Sequence, residues 1–85
     1  MKKIYKYPLK LQSVQSLSIP LVAVLSIQQQ HGVWVLWAEV DTDKWSKTIT
    51  VTIVGTGHVV PENAGQYIST IQEGSYVWHF YVKVG

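Results

Sequence analysis

The residues best equipped for chemistry fall in one short break, Val54-Gly55-Thr56-Gly57-His58-Val59-Val60-Pro61. Two glycines, a hydroxyl and an imidazole stand together there, with a proline close behind. Such a run can serve in two ways. Its glycines can let backbone N–H groups approach an anion while Thr56 adds a hydroxyl donor. Alternatively, they can form a glycine-rich bulge where a strand leaves its sheet. Neither a P-loop nor a dinucleotide-binding fingerprint is present, and no helix follows to lend its dipole. The strand exit is the better reading of Gly55, Thr56 and Gly57. His58 then either bonds the adjacent backbone and fixes the loop, or contacts a ligand.

The remaining reactive side chains are sparse. A zinc site needs three or four protein ligands. The chain offers only His31, His58 and His79 with five acids, no cysteine, and no pair at a recognisable ligand spacing. No metal site and no cofactor are expected. Ser69, His79 and Asp41 can be drawn as a triad, but any serine-rich strand protein offers as much. The acids are scattered, so an enzyme is the least supported class and no catalytic residue is assigned.

Charge narrows the partners further. The net charge is +2, and all seven basic residues are lysines. Arginine, the preferred residue for bidentate phosphate and guanine contacts, is absent. Lys2, Lys3, Lys6 and Lys10 cluster at the amino end, where lysines commonly keep an edge strand soluble. Exposed aromatics could stack bases on a small β-barrel, yet the weak charge argues against nucleic acid as a partner. No apolar run approaches a membrane span, and Met1-Lys2-Lys3 leads into Tyr, Lys and Pro instead of a signal core. A soluble, intracellular protein is expected.

These side chains must be positioned by β-structure. Lys3–Tyr7 reads as a short strand ended by Pro8. Gln12–Ile19 alternates imperfectly before Pro20 and reads as an edge strand or partly a loop. Leu21–Gln30 and Val33–Asp41 flank His31-Gly32, a pair suited to a two-residue type I′ turn. That hairpin would oppose Ala23 to Val40, Leu25 to Ala38, Ile27 to Leu36 and Gln29 to Trp34 on a core face. Its reverse face opposes Val24 to Glu39, Ser26 to Trp37, Gln28 to Val35 and Gln30 to Val33. A face with Trp37 in its middle reads as an interface or the wall of a ligand site.

Beyond a polar turn and Trp45, Thr48–Val54 alternates cleanly, with Ile49, Val51 and Ile53 on one side and threonines on the other. After the break, Pro61–Gly65 is a loop. Gln66–Gln72 and Ser75–Val84 form a last hairpin about Glu73-Gly74, with Tyr76, Trp78, Phe80, Val82 and Val84 on its core face. The sequence therefore predicts an all-β chain, one small domain over residues 1–85. It has about six mostly antiparallel strands, arranged as a β-sandwich or a partly open barrel. At 85 residues only about 60–65% of the unfolded chain's surface can be buried, and no disulfide compensates. With four Trp, five Tyr and one Phe, a homo-oligomer is expected, its surplus apolar face becoming an interface.

Four stretches carry a resemblance: Leu36-Trp37-Ala38-Glu39-Val40-Asp41, Gly55-Thr56-Gly57-His58, Tyr67-Ile68-Ser69-Thr70-Ile71-Gln72 and Val77-Trp78-His79. With Ile4–Tyr7 and Leu25–Gln28 added, nearly the whole chain resembles a family of small, functionally uncharacterised proteins of tailed bacteriophages and prophages. It differs from the family pattern in its short Trp45 loop, its tight last turn and its extended carboxyl end.

The resemblance implies a viral setting and no assigned chemistry. In that setting the expected function is a non-enzymatic binding protein in the host cytoplasm. It would be a counter-defence factor that sequesters a nucleotide-like host signal or binds a host defence protein. Trp37, Trp78 and other aromatics would stack, while Gly55, Thr56, Gly57, His58 and His79 supply polar contacts. The alternatives are a structural or assembly protein of the virion, its Thr-rich strand and lysine-bearing amino terminus serving as edges, or a weak nucleic-acid-binding β-domain.

Overall fold

His31 and Gly32 both take positive φ, 52° and 79°, the pairing that a type I′ turn demands. They join β3 (Leu21–Gln30) to β4 (Val33–Asp41), the hairpin read from the sequence, at the same bounds. A computed structural model, describing all 85 residues, adds β1 (Lys2–Pro8), β2 (Val14–Ile19), β5 (Lys47–Gly55), β6 (Gln66–Glu73) and β7 (Tyr76–Val84). The seven antiparallel strands form two sheets, ordered β1-β4-β3 and β2-β5-β7-β6, with no closed barrel. No helix is long and apolar enough to cross a membrane.

Alternation explains most of this. Ile49, Val51 and Ile53 of β5 face Ile27, Leu36, Ala38 and Val40 of the other sheet across a shared core. Phe80 and Val82 complete it from β7, while Tyr76 and Val84 of the same face lie exposed at the strand's ends. Pro20 alone separates β2 from β3, so the chain changes sheets at one residue that cannot donate to either ladder. β3 then runs beside β6, where the Ser69 hydroxyl donates to the Ile27 carbonyl at 2.7 Å.

Three expectations need correction. The hairpin register holds from Gln30/Val33 to Ser26/Trp37, then slips at two bulges, so Val24 opposes Ala38, Ala23 opposes Glu39 and Leu21 opposes Val40. The bulges turn Leu25 and Val22 outward, where they are exposed. An unbroken run of apolar residues hides the extra residue from a period-two reading. The last turn is Gly74-Ser75 and not Glu73-Gly74, since Glu73 still pairs with Tyr76. Gly74 takes positive φ (61°) at the first central position, as in a type II′ turn. Finally, the Thr-rich strand is no edge: β5 lies between β2 and β7.

Candidate functional site

The Gly55–His58 break is a β-turn. The His58 amide donates to the Gly55 carbonyl at 3.1 Å, and Gly57 has φ 89° at the third position, the requirement of a type II turn. It is therefore a constrained strand exit, as the absence of a following helix implied. A Cβ at Gly55 would stand 3.4 Å from Trp78 Cζ3 and 3.5 Å from His58 Cδ2, in ordinary van der Waals contact with both rings, so the indole and the imidazole flank this position on the same side.

On the core side of this turn, aromatic rings gather at the end of the sandwich. Trp34 stands 5.9 Å from Trp78 and 5.3 Å from Phe80, and Tyr76 stacks on Trp78 at 5.7 Å. The Glu73 carboxylate closes the group. Its Oε2 accepts from Trp34 Nε1 at 3.1 Å and from Gln29 Nε2 at 2.9 Å. A cleft of ≈ 220 Å³ opens here between Leu11, Gln12, Ser13, Trp34, Ile53, Glu73 and Trp78. A groove of ≈ 310 Å³ continues from it past Trp78, with Ser13 and Ile53 shared and Thr52, Gly55, His58 and Pro61 beyond. Trp78 is the hinge of both, and its Nε1 is the one buried side-chain nitrogen or oxygen without a hydrogen-bond partner.

The outer side of the turn is polar. Thr56 Oγ1 lies 2.8 Å from His79 Nε2, His79 Nδ1 lies 2.9 Å from Thr70 Oγ1, and Thr70 Oγ1 lies 2.6 Å from the Tyr67 hydroxyl. One tautomer places every hydrogen. Tyr67 donates to Thr70, Thr70 to Nδ1, Nε2–H to Thr56, and Thr56 to the Val77 carbonyl at 3.4 Å. Residues from three of the four stretches that carry the resemblance meet in this chain. Thr56 and His79 have the spacing of a nucleophile and its base, but a hydroxyl, not a carboxylate, stands behind the imidazole. The arrangement orients donors and acceptors beside a shallow cleft of ≈ 260 Å³ that also touches Val54, Gly55, Gly57, His58, Val60 and Tyr81.

The candidate residues thus divide. Gly55, Thr56, Gly57, His58, Trp78 and His79 come together around one turn, with Trp78 on its inner side and His79 on its outer side. Trp37 is elsewhere. It lies on the outer face of the other sheet, beneath the Lys6 ammonium at 5.8 Å from its ring centre, and lines none of the three clefts.

The sequence does not single out Glu73, Thr70 or Tyr67. Glu73 reads there as a turn residue. Tyr67 and Thr70, three apart, belong on opposite faces in a regular strand, and the bulge between Tyr67 and Ser69 brings them to the same one. The Met1 amino group hydrogen-bonds Asp43 and Asp41, which raises its pKa, and it in turn lowers that of Asp41. Burial, then the nearby Tyr5, raises that of Tyr7.

Fold and site together define a two-sheet β-domain with clefts at one end. The chain belongs to DUF7352, a domain-of-unknown-function family that matches it over residues 1–85. No curated protein and no solved structure matches it.

Proposed function

We propose that the protein is a non-enzymatic binding domain that takes the base of a nucleotide-like molecule in the cleft walled by Trp34, Trp78 and Glu73. The observation that carries this reading is the Glu73 carboxylate, fixed by two side-chain donors at the wall of an aromatic-lined cleft. Planar rings favour stacking on the indoles, and Glu73 Oε1 remains free to accept from a ring N–H. At ≈ 220 Å³ the cleft is smaller than the ≈ 300–1,000 Å³ of drug-sized pockets, so it suits one heterocycle, not a whole nucleotide. The sugar and phosphates would follow the groove past Ser13, Thr52 and His58. No lysine lines either space, so binding rests on the base and depends weakly on salt.

The resemblance to phage proteins gives the setting: a counter-defence factor holding a nucleotide-like host signal in the host cytoplasm. Trp45, which is 92% exposed at the far end of the molecule, favours a second reading in which the partner is a host protein.

Native mass spectrometry and a thermal-shift screen over nucleotides test the first reading. Guanine, which presents two adjacent N–H donors to a carboxylate, is expected to give the largest shift, quench tryptophan fluorescence, and lose both effects in Glu73→Gln. A clean apo mass with no shift across the library would sink it.

A further inference from the structure

The two sheets present four edge strands, and three carry a device against pairing with another chain. β1 sets Lys2, Lys3 and Lys6 along its length and ends in Pro8. β3 is broken by two bulges, β6 by one, and these two strands pack beside each other. β2 has none of these. Val14-Gln15-Ser16-Leu17-Ser18-Ile19 contains no charge and no proline, and it pairs with β5 without a register shift. Soluble proteins do not leave such an edge bare without consequence, because its free N–H and C=O groups template another strand.

The polarity of the edge is fixed by one bond. The Ile53 amide donates to the Ser13 carbonyl at 2.8 Å. By alternation Gln15, Leu17 and Ile19 turn their backbone groups to β5, and Val14, Ser16 and Ser18 turn theirs away from the sheet. Open space of ≈ 480 Å³ lies along this edge, between Pro8 and Lys10 on one side and Val14–Leu17 on the other.

We propose that the edge is a self-pairing surface: β2 of a second copy of this chain adds antiparallel to it, fusing two four-stranded sheets into one. The strand is complementary to itself about Ser16. Ser16 then opposes Ser16, Val14 opposes Ser18, and Gln15 opposes Leu17. All outward groups of both strands are used, in about six hydrogen bonds. Opposed residues share a face, so the core side of one sheet continues into the core side of the other. Self-pairing of β1 would bring lysines against lysines, whereas β2 brings no charge against itself. The pairing is two-fold and closes at a dimer, since the other edges are protected. It stands independently of the ligand reading.

Sedimentation equilibrium on the full chain tests it, with circular dichroism as the check on folding. The wild type is expected at twice the 9.6 kDa chain mass. Ser16→Pro removes the central outward N–H without touching the β2–β5 ladder, and is expected to be a folded monomer. Ser16→Lys opposes two ammonium groups at the two-fold axis and should give the same result even if the proline variant unfolds. A wild-type monomer over the whole concentration range overturns the proposal, and so does a dimer that both variants leave intact. A wild-type monomer that instead captures an added extended peptide at β2 assigns the edge to a foreign strand and overturns self-pairing.

Discussion

Trp78 and His79 are neighbours in the chain and face opposite sides of β7, yet their surroundings have little in common. Inward, Trp78, Phe80 and Val82 pack against rings and branched aliphatics, with the Glu73 group, Gln12 and Ser13 the polar residues at the cleft. Outward, His79 joins a line of hydroxyls in which each hydrogen has an acceptor. The polar face is satisfied and the apolar face is not, since Trp78 Nε1 has no partner. A buried orphan N–H costs about 1–3 kcal/mol. The molecule therefore carries its unmet polar requirement beside its largest aromatic cluster, on the side where two of the three clefts open. That asymmetry is why the proposed site is drawn inside the end of the sandwich, with the outer chain as a brace for the turn beside it.

The largest expected effect falls on the inner face. Phe80 is fully buried between the sheets, and Phe80→Ala should cost about 3–5 kcal/mol in urea unfolding at fixed protein concentration. A loss nearer 1 kcal/mol would mean that the two sheets hardly depend on each other. Next comes the loop that returns to β6. Gly65 has φ 96°, and a Cβ there would lie 2.4 Å from the Val82 carbonyl oxygen and 2.8 Å from Lys83 Cα. Both contacts are to backbone, so neither can swing aside. Gly65→Ala should cost about 2–4 kcal/mol and lower the thermal midpoint, while Gly57→Ala, with open space around it, costs only its backbone strain of about 1–3 kcal/mol.

The comparison also shows what a sequence can and cannot display. Thr48–Val54 alternates cleanly because β5 has one partner-rich core face, and His31-Gly32 announces its turn by backbone chemistry alone. Both are local. Bulges are not: nothing in Val22-Ala23-Val24-Leu25 marks which residue is extra, and the slip at Ile68 gathers Tyr67 and Thr70 onto the His79 face. The Gly55–His58 turn was legible as the place where pattern stops. The groups around it were not, because Thr70 meets His79 and Glu73 meets Trp34 only through pairing and packing set by the whole fold. Trp37 read as a companion of Trp78 for want of that same information.

A smaller effect is expected outside. Thr70→Val severs the hydroxyl line on both sides of Thr70, but water replaces the lost bonds at an exposed position. The cost should be about 0.5–1.5 kcal/mol. Combined with Thr56→Val it should fall short of the sum of the two single losses, because both act through the His79 ring. Strict additivity in a double-mutant cycle would show that the line is a set of separate surface contacts.

The smallest change in stability should come from the largest side chain. Trp78→Phe gives up part of the indole's packing, on the order of 1–2 kcal/mol, but removes an orphan N–H worth about 1–3 kcal/mol. The two nearly offset, so unfolding should move by less than about 1 kcal/mol. Tyr76 and Trp34 keep a ring to stack on. If Trp78 belongs to a binding cleft, the variant stays folded and loses the nucleotide-induced thermal shift of the wild type. If it is only a core residue, the same near-neutral stability comes with unchanged binding. The two readings of the inner face thus share one stability result and predict opposite binding results from one substitution.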